Sequence, residues 1–336
     1  MKAVVLPPLS AVAPGDLAAR LPGWEVVVVD EQAGVAAALA DADAVIVQLL
    51  EADAARAAGR LALCQVFSAG WDGVAVDAVR PEAWVCNSGG HEVALGEHVL
   101  GVSLMLARRL GERDRTLRAG RFDQLVGEGA GRGFDGFDTD LAGRVAGIIG
   151  MGTIGLRCAE LFRALGMRVV GVARTPSPQR AAAAGLEWLG GPSREDLREL
   201  LRRSDLAVVA VPREAATEGL IGAAELEALG PRGLLVNVAR GPVVQERPLY
   251  EALRDGRIAG AAIDVWWRYP PAGEKEFRPH TQPFHELENV VLTPHTAGLS
   301  QSNFRSRWDF AVRQLRAFEH GEPLENVIRP AAGRAA

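Results

Sequence analysis

Three polar side chains stand just after short apolar runs. Arg240 follows Leu234-Leu235-Val236-Asn237-Val238-Ala239, Asp264 follows Ala261-Ala262-Ile263, and His295 follows Val291-Leu292-Thr293-Pro294. A guanidinium is permanently charged and presents a fork of donors to a carboxylate. An imidazole gives and takes a proton near neutral pH. Apolar runs of this length are strands, and open α/β sheets gather ligands at the carboxyl ends of their strands. Each residue alone reads equally well as an ion pair or a satisfied core histidine. His91, His98, His280, His285 and His320 are read in that bland way. Three such residues in register with a dinucleotide loop are a stronger signal, and they are expected to converge near a nicotinamide.

That loop is Gly150-Met151-Gly152-Thr153-Ile154-Gly155. It lies between the strand-like Arg144–Ile149 and the helical Cys158–Leu165, the context the G-x-G-x-x-G fingerprint requires. Gly150 permits the tight turn, Gly152 lets backbone approach the pyrophosphate, and Gly155 lets helix pack on strand. The pyrophosphate is expected on the free N–H groups of the helix N-terminus. A second strand, Arg168–Val172, ends in Ala173-Arg174-Thr175 with no carboxylate to accept a ribose 2′-OH. Arg174 and Thr175 suit a 2′-phosphate instead. The expectation is NADP(H), with NAD(H) the alternative and Arg174 then merely stacking on adenine.

The elements that must position these groups read as α/β throughout. Strand candidates fall at Ala3–Leu6, Glu25–Val29, Ala44–Val47, Gln65–Phe67 and Trp84–Cys86. A second set begins at Val145 and recurs at Arg168–Val172, Leu206–Val211, Gly233–Val238, Ala259–Asp264 and Val290–Thr293. Helical stretches alternate with them, the pattern of parallel sheets covered by helices. Glu92 to Leu110 and Leu299 to Phe318 read as long helices. Arg118 to Asp140 is rich in Gly, Asp and Phe and reads as an exposed loop or as an arm on a second subunit.

Composition fits two globular domains: 336 residues, 48% apolar and 24% charged. A net charge of −5 gives no electrostatic pull toward nucleic acid or an anionic membrane. The apolar runs are strand-length, short of the ~20 residues a membrane helix needs, and a signal peptide is not recognisable at Met1. Cys64, Cys86 and Cys158 lack metal spacing, so reduced thiols in a cytoplasmic protein and no metal site are expected. Of 37 basic residues only Lys2 and Lys275 are lysine, so any single arginine is weaker evidence than usual.

The order of motifs resembles the D-isomer-specific 2-hydroxyacid dehydrogenases. The resemblance runs from Phe67 to about Ile328. It is carried by Ser68-Ala69-Gly70-Trp71-Asp72, Asn87 to His98, the glycine loop, Val238-Ala239-Arg240-Gly241, Asp264-Val265 and Pro294-His295-Thr296-Ala297-Gly298. It implies a Rossmann nucleotide domain, residues 98–298, and a flavodoxin-like substrate domain, residues 1–97 with 299–336, both doubly wound. The active site would lie in the cleft between them, and the chain would be a homodimer. By the same resemblance Arg240 holds the carboxylate of a small anionic substrate and polarises its carbonyl. His295 donates the proton as hydride arrives, and the amides of Ala69 and Gly70 bind the carboxylate. Asp264 contacts the carboxamide, Thr153 and Ile154 lie on the pyrophosphate, and Pro212 lies near the adenosine. Val238, Ala239 and Gly298 complete the cofactor-binding set. The implied activity is reduction of a small 2-keto acid to the D-2-hydroxy acid.

One position departs from the family pattern. A glutamate five residues after the matched aspartate pairs with the family's catalytic histidine, and here that position is Tyr269. Glu274 and Glu276 follow, in what reads as an inserted loop through His280. Three readings stay open: a working enzyme with His295 supported by Tyr269 or a displaced carboxylate; formate-dehydrogenase-like oxidation; and a dinucleotide-binding sensor or corepressor. Trp71, Trp266 and Trp267 read as packing or as an aromatic pocket. Arg268, Lys275, Arg278 and His280 read as a solvated loop or as contacts to a second anionic group.

Overall fold

The computed structural model describes residues 1–122, 139–271, 274 and 276–333. Most of the Arg118–Asp140 arm, together with Lys275, lies outside them. The described strands are β1 (Lys2–Val5), β2 (Glu25–Val28), β3 (Ala44–Val47), β4 (Leu63–Val66), β5 (Trp84–Cys86), β6 (Val145–Ile149), β7 (Arg168–Val172), β8 (Trp188–Gly190), β9 (Leu206–Val209), β10 (Leu234–Asn237), β11 (Gly260–Ile263), β12 (Val290–Leu292) and β13 (Val327–Arg329). They form two sheets in two compact units, Met1–His91 with Leu299–Ala336, and Glu92–Gly298. The division falls before helix Glu92–Ala107, ahead of the expected boundary at residue 97.

The sheet of the first unit runs β13-β5-β4-β3-β1-β2. Strands β1 to β5 are parallel and take the flavodoxin-like order 2-1-3-4-5. Strand β13 closes the edge antiparallel, pairing Val327 with Cys86. Alternate residues of one strand feed two different cores. Val4, Val45, Cys64 and Val85 pack on one face, with Val35 and Leu39 of a covering helix. Ala3, Val5, Ile46 and Leu63 pack on the other, with Trp308, Ala311 and Leu315 of helix Gln301–His320. Burial on both faces is why β3 reads as an unbroken apolar run.

The second unit carries a seven-stranded parallel sheet, β12-β11-β10-β9-β6-β7-β8. Counted from β6 this is the Rossmann order 3-2-1-4-5-6 with one more strand, so the chain reverses direction between β6 and β9. The sheet is again buried on both faces. Ile149, Val209, Leu235 and Ile263 share one buried cluster with Leu197, Leu200 and Leu201 of helix Arg194–Arg203. Ile148, Val208, Val236 and Ala262 meet Val99 and Val102 of helix Glu92–Ala107 and Phe162 of helix Thr153–Ala164.

The long helix expected to run to Leu110 ends earlier. Arg109 adopts a left-handed conformation, φ 47°, and a separate helix, Leu110–Arg118, follows. Strands β8 and β13 are additions to the expected set. Each is only three residues long.

Candidate active site

The glycine loop joins β6 to helix Thr153–Ala164. Gly150 sits at φ +102°, and a Cβ there would stand 2.6 Å from the carbonyl oxygen of Ala210. The loop after β6 thus lies against the loop after β9 at the reversal point, which also carries Pro212. A Cβ on Gly155 would run into the Gly150 carbonyl oxygen. Gly152 differs: a Cβ there would meet nothing within 4 Å. Gly152 is also the residue preceding the helix and has no side chain with which to cap it. Open space ahead of uncapped N–H groups at a twelve-residue helix fits a pyrophosphate. Thr153 and Ile154 are the first residues of that helix.

The adenosine side shows the contacts of Arg174 and Thr175 and adds a residue. The Arg174 guanidinium pairs with the Glu214 carboxylate at 2.7 and 3.0 Å. Thr175 is engaged by Arg180, whose Nη1 donates to its hydroxyl at 3.0 Å and its carbonyl at 2.8 Å. The other Arg180 nitrogen, Nη2, donates to the Met151 carbonyl at 3.2 Å, inside the glycine loop. Arg180 is placed by its helix start: Ser177 accepts the Arg180 N–H and Pro178 opens helix Pro178–Ala184. Sequence reasoning missed it, although Ser-Pro after Arg174-Thr175 marks that helix start.

Strands β10, β11 and β12 are neighbours in the sheet, and Arg240, Asp264 and His295 follow their carboxyl ends. Arg240 is half-buried, with Nη1 donating to the Ala239 carbonyl at 2.7 Å. Its turn is shaped by buried Asn237, which accepts the Ala239 N–H at 3.1 Å and donates to the Arg240 carbonyl at 3.2 Å. Val238 and Ala239 are buried. Asn237 is a second residue that sequence reasoning missed; a polar residue closing an apolar strand was its signal.

Asp264 is 2% exposed. It accepts the Thr293 hydroxyl at 2.6 Å, the Thr296 N–H at 2.8 Å and the Ala297 N–H at 3.1 Å. These bonds brace the turn on which His295 stands exposed at φ +57°, a left-handed conformation uncommon for a residue with a side chain. Gly298 ends the unit just after that turn. The group at His295 Nδ1 is the Tyr269 hydroxyl, at 2.9 Å.

Trp266 and Trp267 are packing residues. Trp266 is buried and donates its indole N–H to the Thr293 carbonyl at 2.9 Å. Trp267 donates to the Val244 carbonyl at 2.8 Å and stacks on Phe284 with ring centroids 5.4 Å apart. Arg268 bonds the carbonyls of Arg278 and His280, and Arg278 pairs with His285 at 2.7 Å. These cations tie the loop to itself. Buried His280 packs against Trp266, and burial holds its imidazole below the usual histidine range.

In the first unit, Ala69 and Gly70 follow β4. The Ala69 carbonyl accepts from the Asn87 amide at 2.5 Å. The Gly70 carbonyl accepts from the Ser68 hydroxyl at 2.6 Å, and that hydroxyl accepts from Gln48 at 2.9 Å. Trp71 is 43% exposed.

A Rossmann sheet with a glycine turn at its reversal point defines a dinucleotide-dependent enzyme class. Residues 100–297 match the NAD binding domain of D-isomer specific 2-hydroxyacid dehydrogenases. The chain belongs to that family. It is 31% identical to D-3-phosphoglycerate dehydrogenase of Archaeoglobus fulgidus, over 93% of this chain and 53% of the relative's length. It is 32% identical to glyoxylate reductase of Thermococcus kodakarensis, over 86% of this chain and 83% of the relative. The chain thus spans about half of the first relative and most of the second. Among solved structures, the NADPH-dependent glyoxylate/hydroxypyruvate reductase of Sinorhizobium meliloti superposes with a TM-score of 0.78. The identity is 29%, covering 100% of both chains. Among the described residues there is no helix long and apolar enough to cross a membrane, and no group of three His, Cys, Asp or Glu that could hold a metal ion.

Proposed function

We propose that this protein reduces a small 2-keto acid to the D-2-hydroxy acid, with NADPH preferred over NADH. One observation carries the reading: Arg240 and His295 stand at the carboxyl ends of neighbouring strands in the sheet that also carries the glycine turn. The bound nicotinamide would supply hydride to the carbonyl carbon. Arg240 holds the substrate carboxylate and polarises the carbonyl through charge-assisted hydrogen bonds. His295 gives the carbonyl oxygen a proton from its ring. In this reading residues 92–298 are the nucleotide domain, and the first unit is the substrate domain, contributing the amides of Ala69 and Gly70. A homodimer in the cytoplasm is part of the proposal.

The NADPH preference is supported by Arg174, Thr175 and Arg180 and by the lack of a carboxylate at the end of β7. The Arg174–Glu214 pair is exposed on both sides. Such a pair contributes about 0–1 kcal/mol, so a dianionic 2′-phosphate displaces Glu214 at little cost. The S. meliloti relative is itself described as NADPH-dependent.

The test is a panel of 2-keto acids, among them glyoxylate, hydroxypyruvate and pyruvate, assayed with NADPH and with NADH. Formate with NADP⁺ is the contrast. Turnover of a keto acid with higher kcat/KM for NADPH is expected. Formate oxidation alone would replace the reading with formate-dehydrogenase-like chemistry. Tight NADPH binding without turnover would replace it with a sensor.

A further inference from the structure

The hydrogen bond between Tyr269 and His295 is built from both sides. Tyr269 Oη receives the Trp266 N–H at 3.3 Å. The chain around it is clamped by the indoles of Trp266 and Trp267 on the Thr293 and Val244 carbonyls and by the Arg268 N–H on the Pro279 carbonyl at 3.1 Å. His295 is clamped separately: its N–H donates to the Thr293 carbonyl at 3.0 Å, and Asp264 holds the two amides that follow. Two independently fixed groups meet at 2.9 Å, their rings inclined at 48°.

We propose that Tyr269 is the positioning residue of His295: its hydroxyl oxygen accepts the Nδ1–H, leaving Nε2 as the atom that exchanges a proton with substrate. This rests on the keto-acid reading above. A phenol oxygen has two lone pairs, one for the Trp266 N–H and one for Nδ1–H. In reduction the imidazolium would give its Nε2 proton to the carbonyl oxygen, and a bound nicotinamide would supply the hydride. The neutral ring keeps Nδ1–H on Tyr269, and water returns a proton to Nε2. The O–H bond of Tyr269 is not broken in either direction.

Tyr269 therefore orients the ring without charging it. A carboxylate in its place would also favour the imidazolium by direct attraction. Among the described residues, the ionisable groups bonded at the His295 turn include Tyr269 on Nδ1 and Asp264 on the Thr296 and Ala297 amides. Asp264 is bonded to those amides and to Thr293, and Tyr269 is bonded at Nδ1, the atom whose proton defines the tautomer.

The test uses the full chain without substrate. The nitrogen-15 signals of the His295 ring, assigned by their loss in H295Q, are followed against pH in wild type, Y269F and Y269E. The neutral ring of wild type is expected as the Nδ1–H tautomer, and Y269F as a mixture. Y269E should raise the titration midpoint by about 1–3 pH units, as a nearby opposite charge does. In the NADPH assay Y269F should lower kcat by about tenfold or more with KM little changed. Y269E should carry reduction to higher pH by the shift seen in the ring. Tyr269 is 48% exposed, so both variants should fold. A neutral wild-type ring protonated at Nε2, or a Y269F protein with wild-type tautomer and kcat, would overturn the proposal. If wild type reduces no keto acid, the functional reading fails while the ring signals still decide the role of Tyr269.

Discussion

The Asp264 carboxylate accepts the backbone N–H of Thr296 at 2.8 Å, one residue beyond His295. With the Ala297 N–H and the Thr293 hydroxyl on the same carboxylate, a buried charge at the end of β11 sets the turn at the end of β12. This relation gives Asp264 a structural role at the His295 turn. Charge-assisted bonds to backbone amides are roughly twice as strong as neutral ones. They are the natural counterweight to a histidine held at positive φ.

Replacing Asp264 should therefore cost both stability and turnover. D264A leaves two backbone N–H groups without their acceptor, a penalty of about 1–3 kcal/mol for each buried group. D264N keeps one acceptor but turns an amide NH₂ toward a donor. The expected order of denaturant midpoints is wild type, then D264N, then D264A, with kcat falling in the same order. Unchanged kcat in D264N with NADPH binding lost would return Asp264 to direct cofactor contact.

Glycines of the dinucleotide turn should separate into two kinds. G155A drives a methyl into the Gly150 carbonyl oxygen and should destabilise the second unit. G152A meets open space and should leave the melting temperature nearly unchanged while weakening NADPH binding by about tenfold or more, because its methyl occupies the room left for pyrophosphate. Calorimetry and fluorescence titration of NADPH check the pair. A G152A protein that binds NADPH normally would mean the cofactor lies elsewhere.

The fold class was legible because the central strands are buried on both faces, and the family because its motifs stand in order along the chain. Val145–Ile149 and Leu206–Val209 can hardly be read as anything but interior strands. Strand Trp188–Gly190 was not legible, being too short for a period to show. The break at Arg109 carries no proline or glycine, so the apolar rhythm reads straight through it. Asp264 shows a different limit. A carboxylate after a strand looks the same in sequence whether it faces a ligand or reaches sideways to a neighbouring turn. Arg174 was read without Glu214, which lies 40 residues further on and meets it only through the sheet.

Cofactor choice can be tested at that pair. E214Q removes the competing charge and should lower KM for NADPH severalfold while leaving NADH little changed. R180A removes a cation that braces Thr175 and Met151. It should reduce kcat/KM for NADPH about tenfold more than for NADH, the discrimination expected of a charge-assisted phosphate contact of about 1.5 kcal/mol. Equal losses for both cofactors would make Arg180 a brace only.

The last prediction concerns alkaline pH. Burial pushes the thiols of Cys64, Cys86 and Cys158 up from an ordinary value of 9.0 to about 12. Folded protein therefore holds these protons where unfolded chain has released them. The stability they contribute is fully present below pH 9 and is lost as pH rises from about 9 toward 12. Few other groups titrate there, since the chain has two tyrosines and two lysines. The denaturant midpoint should hold steady from pH 7 to 8.5 and fall above pH 9, with a smaller fall in C158A than in wild type. Iodoacetamide at pH 8.5 should leave the native thiols unmodified and label all three once the chain is unfolded, because only a thiolate reacts. Native labelling at the rate of a free thiol would show that these cysteines are open to solvent.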